Sequence, residues 1–269
     1  MTRAIILAAG TGSRLRPLTA TEPKCLLNFQ GQSLLQHQLD TLSQAGIEQV
    51  TVVGGHGLGA LRKLGLHCIE NPDYKVTNMV HSLFCARALM TGEEDLIIAY
   101  GDIIYQPENL AVVLNTPGDW VLMSDLGWHD YWSARFTDVL ADAESFITDG
   151  LGRVRQLGDK VNDHRLIQGQ FTGLMKVSAA AVRRLESLYQ QLSADAALSA
   201  SLPNMYMTEF IQQAIHAGWQ VTAAEVNHGW LEFDSLSDLR LYNSLQRNNQ
   251  LQQFFRTGEQ LLSMQACGQ

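Results

Sequence analysis

One stretch of the chain has residue types and spacing suited to handling phosphate: Ala8-Ala9-Gly10-Thr11-Gly12-Ser13-Arg14, followed at a short interval by Pro23-Lys24. Glycines directly after an apolar run let the backbone approach phosphate oxygens, small neighbours leave room, and Arg14 and Lys24 bring positive charge to the same place. On this reading Leu7, Ala8, Ala9, Gly10, Thr11, Gly12 and Ser13 form a phosphate cradle. A Gly-Thr-Gly turn by itself is as often a tight structural turn as a ligand site. It is also neither common phosphate fingerprint: Leu15 stands where a dinucleotide fold has its third glycine, and the Gly-Lys-Ser/Thr of a P-loop is missing. Two carboxylates, Asp102 after Tyr100-Gly101 and Asp234 closing Trp230-Leu231-Glu232-Phe233, follow apolar stretches. There an aspartate either holds a cation or closes a turn.

These residues need a frame. The apolar run Ala4 to Ala9 reads as a strand buried on both faces, and Leu34, Leu35, Leu39, Leu42 and Ile47 recur at helical spacing, with Gly46 near the stop, ahead of a second strand, Val50 to Val53. The alternation continues through a short strand at Cys68 to Glu70, a helix from about Val80 to Met90, and the strand Asp95 to Tyr100. Alternating strands and helices predict an α/β fold with a Rossmann-like, mostly parallel sheet flanked by helices, and ligands outside the carboxyl ends of its strands. Asp102 falls at such an end. Between Trp120 and Val177 the segments shorten, with strands predicted at 146–148, 153–157 and 171–177, so this acceptor-side portion is expected to be mixed and partly antiparallel. Helices follow at about 179–192 and 208–217, then a strand near 220–226, and a last helical stretch from about Ser237 through Leu262. Without a linker or repeat, residues 1–269 read as one domain: a nucleotide-binding portion over 1–115, an acceptor-side portion over 116–235 and a C-terminal helical segment over 236–269.

The text from Leu7 to Leu15, with Pro23-Lys24, resembles the signature of the nucleoside-diphosphate-sugar pyrophosphorylase (NTP transferase) family, L-A-A-G-x-G-x-R-L followed by P-K. Tyr100-Gly101-Asp102 looks like that family's G-D element, and Trp230 to Asp234 like its later acidic segment. The resemblance implies a GT-A-like nucleotidyltransferase fold. It gives the triphosphate to the glycine turn with Arg14, Lys24 and Gly101, and Mg²⁺ to Asp102 and Asp234. The chemistry suits such residues. An anionic acceptor oxygen attacking an α-phosphorus in line needs no strong general base, only positioning and fixed positive charge. Mg²⁺ takes one or two protein carboxylates, with water and phosphate completing its octahedron. Lys160, in Gly158-Asp159-Lys160, is a third cationic candidate, as a second lysine serves in much of the family, and is otherwise a solvated turn residue.

Asn71-Pro72-Asp73-Tyr74 with Thr77-Asn78-Met79-Val80-His81-Ser82 resembles the phosphocholine cytidylyltransferase-like branch. This shifts the expected nucleotide toward CTP, with UTP or dTTP and a sugar 1-phosphate as the rival pair. Asn78 and Ser82 are short donors and acceptors suited to a pyrimidine edge, and either also serves as a helix N-cap. Trp132, Gln170, Thr172, Glu209 and Trp230 are the acceptor-side candidates, since aromatic rings beside carboxylates suit a cationic headgroup. The branch implies a phosphorylated or phosphonate acceptor of the phosphocholine, aminoethylphosphonate or phosphorylated amino acid class. A non-catalytic nucleotide-binding module is the other rival.

Composition narrows the classes. With 46% hydrophobic and 17% charged residues, the chain can bury a large core, and a net charge of −8 without a basic run argues against nucleic acid or an anionic membrane as partner. The apolar runs are too short for a membrane span, the four cysteines lack metal spacing, and a cytoplasmic protein with free thiols is expected. The C-terminal apolar residues leave a homodimer open.

Overall fold

The opening apolar run is explained by what lies on its two sides. In strand β1 (Thr2–Ala8), Ala4, Ile6 and Ala8 enter one hydrophobic cluster while Ile5 and Leu7 enter another on the opposite face. Side chains alternate across a strand, so both sets must be apolar when helices cover both faces. The structure is a computed structural model that describes residues 2–256.

After β1 come a small hairpin, β2 (Asn28–Phe29) and β3 (Gln32–Ser33), helix α1 (Leu34–Gln44), β4 (Gln49–Gly54), α2 (Leu58–Lys63), β5 (His67–Glu70), α3 (Met79–Cys85) and β6 (Asp95–Tyr100). The chain continues through β7 (Ile103–Tyr105), α4 (Pro107–Asn115), β8 (Trp120–Asp125), α5 (Trp128–Arg135), β9 (Glu144–Thr148), β10 (Val154–Lys160) and β11 (Gln170–Val177). Then follow α6 (Ala179–Ala194), α7 (Met207–His216), β12 (Val221–Val226), β13 (Trp230–Glu232) and α8 (Leu236–Arg247). Seven strands form the main sheet in the order β12-β8-β11-β6-β1-β4-β5, parallel except for β11, which runs against both β6 and β8. The expected α/β architecture with a mixed, partly antiparallel portion is therefore observed. The main sheet runs across residues 1–115 and 116–235 alike, since β8, β11 and β12 continue it.

Two small antiparallel pairs stand beside the sheet, β9 with β10 and β7 with β13. The second pair matters most for the site. It sets Glu232 opposite Ile103, and the Phe233 N–H donates to the Asp102 carbonyl at 3.0 Å, so the segments carrying Asp102 and Asp234 run side by side.

The stretch Trp128-His129-Asp130-Tyr131-Trp132 lies in the helix α5, whose Trp128, Tyr131 and Trp132 enter the hydrophobic core. One expectation is corrected. The C-terminal helix stops at Arg247; Asn249 takes a left-handed φ of 55° and a short 3₁₀ turn over Leu251–Gln253 follows. Leu239, Tyr242, Leu245, Phe254 and Phe255 pack on the chain's own core, and Leu261 and Leu262 lie outside the described residues.

Candidate active site

A cleft of about 470 Å³ opens at the carboxyl ends of β1 and β6 and at the start of β11. Its floor is the glycine turn. Gly12 has φ +57°, and a Cβ there would sit 3.1 Å from Thr19 Cγ2 and 3.3 Å from Lys24 Cβ, so a side chain would strain the turn that holds Lys24. The Thr19 hydroxyl donates to the Gly12 carbonyl at 2.7 Å and fixes the far side of the turn. At Gly101 a Cβ would meet Ala8 Cβ at 2.8 Å and the Leu7 carbonyl oxygen at 2.9 Å. Only glycine lets the β6 end lie this close to β1, with the Gly101 N–H donating to Leu7 at 2.8 Å.

Lys24 is the hub. Its Nζ donates to Asp102 Oδ2 at 2.7 Å and to Asp234 Oδ1 at 2.6 Å. Burial pulls the ammonium's pKa down, but Asp102 and Asp234 outweigh it and hold the group well above the usual lysine range. Burial likewise acts against the Asp234 carboxylate, and Lys24, with Arg14 and Arg135, lowers its pKa below the ordinary value. Arg14 is largely exposed at the cleft mouth, 3.6 Å from Asp234. The Asp234 backbone is held from behind by the capping box of α8: Asp238 Oδ2 accepts from the N–H groups of Asp234 and Ser235 at 3.0 and 2.8 Å.

Arg135, at the end of α5, ties the two halves together, and nothing in its sequence spacing announced it. Its side chain is fully buried, donates to Glu232 at 2.6 Å and to Asp238 at 3.0 Å, and lies 3.9 Å from Asp234. The guanidinium also sits over the rings of Tyr131, Trp132 and Phe136. A buried cation in this frame aligns the carboxylate strand with the aromatic helix.

Part of the cleft lining is acidic: Asp142, Glu144 and Glu232 join Asp102 and Asp234 there. Burial pushes the Glu144 carboxyl up to about 7, and neighbouring Asp142 adds to the rise. Gln170 also lines the cleft, and its buried Oε1 has no hydrogen-bond partner among the described residues. Asp142 and Glu144 gave no sequence signal, because an acidic residue at a strand start looks the same whether it faces solvent or a pocket. Cys25 also lines the cleft, but burial pushes its thiol up to about 12, so it is no nucleophile.

Of the sequence-derived candidates, Leu7 to Arg14, Lys24, Asn78, Ser82, Gly101, Asp102, Trp132, Gln170 and Asp234 meet at this one cleft. Four do not line it. Trp230 is buried and donates its indole N–H to Asp125 at 2.9 Å, a structural bond under β8. Thr172 is buried in β11, its hydroxyl on the Met123 carbonyl. Glu209 is spent capping α7, accepting from the Tyr206 N–H at 2.7 Å. Lys160 ends β10 as an exposed residue, in register with Glu144. Asn78 lines the cleft, but its side chain caps α3 and reaches the Asn204 carbonyl, so the capping role is the one observed.

A glycine turn, one lysine and two converging carboxylates thus meet at the carboxyl ends of the central strands β1 and β6. Residues 4–201 match the MobA-like NTP transferase domain, and the chain belongs to that family. It is 36% identical over 249 residues to the CTP:phosphoglutamine cytidylyltransferase of Campylobacter jejuni, a match covering 88% of this chain and 98% of that one. It is 31% identical to the CMP-5'-(3-aminopropyl)phosphonate synthase of Streptomyces rubellomurinus over 164 residues, 58% of this chain and 25% of that longer protein. The fold is shared with the CTP:phosphocholine cytidylyltransferase of Streptococcus pneumoniae, with TM-score 0.69, 19% identity, and coverage of 91% of this chain and 99% of that one.

Proposed function

We propose that the chain transfers CMP from CTP to a small phosphorylated or phosphonate acceptor that carries an ammonium group, with release of pyrophosphate. The observation that carries this reading is the convergence of Asp102 and Asp234 on Lys24 beside the glycine turn, at 2.7 and 2.6 Å. The relatives named above, which act on CTP or form a CMP product, support the choice of nucleotide. The acidic part of the cleft supports the ammonium, since Asp142 and Glu144 bring carboxyl groups to its lining.

Two carboxylates set close enough to share one cationic atom are a donor set that Mg²⁺ accepts, and Asp102 Oδ1 is buried with no hydrogen-bond partner among the described residues. Asp102 and Asp234 would hold the ion, which supplies charge neutralisation to the phosphates. The residues of the chain do the rest. The backbone N–H groups from Gly10 to Ser13 and the Arg14 guanidinium hold the leaving pyrophosphate. Lys24 takes its charge to the phosphates when the carboxylates are otherwise engaged. The acceptor end directs an oxygen of the acceptor's own phosphate or phosphonate at the α-phosphorus, so the P–O bond to pyrophosphate breaks on the opposite side with no proton to remove.

Pyrophosphate release measured over CTP, UTP and dTTP against phosphocholine, aminoethylphosphonate, phosphoglutamine and hexose 1-phosphates tests the proposal. Turnover is expected only where CTP meets an acceptor with an ammonium group. Turnover with UTP or dTTP and a hexose 1-phosphate, and none with CTP, would overturn it. Asp102→Ala should abolish turnover while triphosphate binding persists in part, which separates an enzyme from a nucleotide-binding module.

A further inference from the structure

Asn71 follows β5, is completely buried and does not line the cleft. Its Oδ1 accepts from the Asp73 N–H at 3.0 Å, and this contact sets which way the amide faces. The Nδ2 group therefore points at two hydroxyls, Ser82 Oγ at 2.9 Å and Thr77 Oγ1 at 3.1 Å, and an amide nitrogen can only donate. Both hydroxyls must accept there and send their own protons elsewhere. Ser82 donates to the Asn78 carbonyl at 3.3 Å, and Thr77 to the Asp73 carbonyl at 2.9 Å. A hydroxyl has one proton and two lone pairs, so each keeps one lone pair and no proton. Ser82 and Thr77 both line the cleft, on the wall where α3 begins.

We propose that Asn71 is a positioning residue for base choice: it fixes the direction of hydrogen bonding through Ser82 and Thr77, so that these two hydroxyls accept from a base amino group and have no proton to give a base carbonyl. The inference rests on the nucleotidyl-transfer reading and deepens it. Cytosine carries a 4-amino donor where uracil and thymine carry a carbonyl oxygen. That carbonyl, set against committed lone pairs in a partly desolvated site, would lose its water without gaining a partner in either hydroxyl. A hydroxyl free to rotate would serve either base. Ser82 discriminates because Asn71 has removed its freedom.

The test reads the base preference twice, as kcat/KM at saturating acceptor and as triphosphate affinity by calorimetry. Both use CTP, UTP and the triphosphate of pyrimidin-2-one riboside, which is the cytosine nucleotide without its amino group. In the wild type, loss of the amino group should cost about tenfold or more. Ser82→Ala should bring CTP down to the level of that analogue and leave the analogue unchanged, a pattern that general weakening of the fold does not produce. Asn71→Leu, which frees the hydroxyl to donate, should narrow the CTP/UTP ratio at least tenfold, mainly by raising UTP. If Asn71→Leu does not fold, Ser82→Ala with the analogue decides alone. The inference fails if the analogue matches CTP in the wild type, or if Ser82→Ala keeps the wild-type ratios. A wild type that binds CTP selectively but turns over no acceptor would count against the function proposed above while leaving the base preference standing.

Discussion

Replacing Lys24 by methionine should make the protein less stable and, at the same time, better at binding a bare divalent cation. In the present arrangement the ammonium satisfies two carboxylates at 2.7 and 2.6 Å, with side-chain exposures of 15% for Lys24, 24% for Asp102 and 15% for Asp234. At an effective dielectric constant of about 20, each contact corresponds to roughly 6 kcal/mol of Coulomb attraction, most of it offset by desolvation. Removing one partner of a buried pair costs about 3–5 kcal/mol, and the residual exposure here puts the loss near the lower end, about 3 kcal/mol. The same substitution removes the ammonium between Asp102 and Asp234, leaving only Arg14 and Arg135 beside Asp234, at 3.6 and 3.9 Å. Mg²⁺ then no longer competes with an ammonium, and its affinity in the absence of nucleotide should rise about tenfold or more. At a concentration about 100 times its Kd the ion returns about 2.7 kcal/mol, nearly the whole deficit. Urea unfolding of both proteins in chelator and in excess Mg²⁺, with direct cation titration by calorimetry, reads each half. Activity should fall at least about 100-fold in Lys24→Met whatever the metal concentration, because the charge is missing where the phosphates need it. Equal stability of the two proteins in chelator, or equal gains from Mg²⁺, would refute the view that Lys24 occupies a cation site.

Glu144→Gln should raise KM for an ammonium-bearing acceptor about tenfold with little change in the KM for CTP, as steady-state kinetics with each substrate varied would reveal. The wild-type affinity for that acceptor should fall as pH drops below about 7, where the Glu144 carboxyl gains its proton, and this pH dependence should vanish in the variant. Stability moves the other way: the folded carboxyl holds its proton up to a higher pH than the unfolded one, so Glu144 makes stability decline from about pH 4.5 to 7, and denaturation at fixed temperature across that window checks the sign. Trp230→Phe removes the indole donor from buried Asp125 and should destabilise the protein by about 1–3 kcal/mol without altering acceptor KM. A changed KM would return Trp230 to the acceptor site.

Local chemistry made much of this protein legible before any coordinates. The glycine turn, Lys24 and the two aspartates are written in short contiguous segments whose backbone demands are local, and the strand and helix periodicities from Ala4 to Tyr100 follow from burial on two faces of a sheet. What only the tertiary structure decided is which distant side chains face the same space. The pairing of β13 with β7 sets Asp234 beside Asp102, Arg135 reaches it from helix α5, and Asp142 and Glu144, at the start of β9, line the same cleft. Trp230 and Glu209 resembled acceptor contacts in sequence and became a buried strut and a helix cap. A residue's type says which bonds it can make, whereas its partners come from long-range packing that no local spacing records.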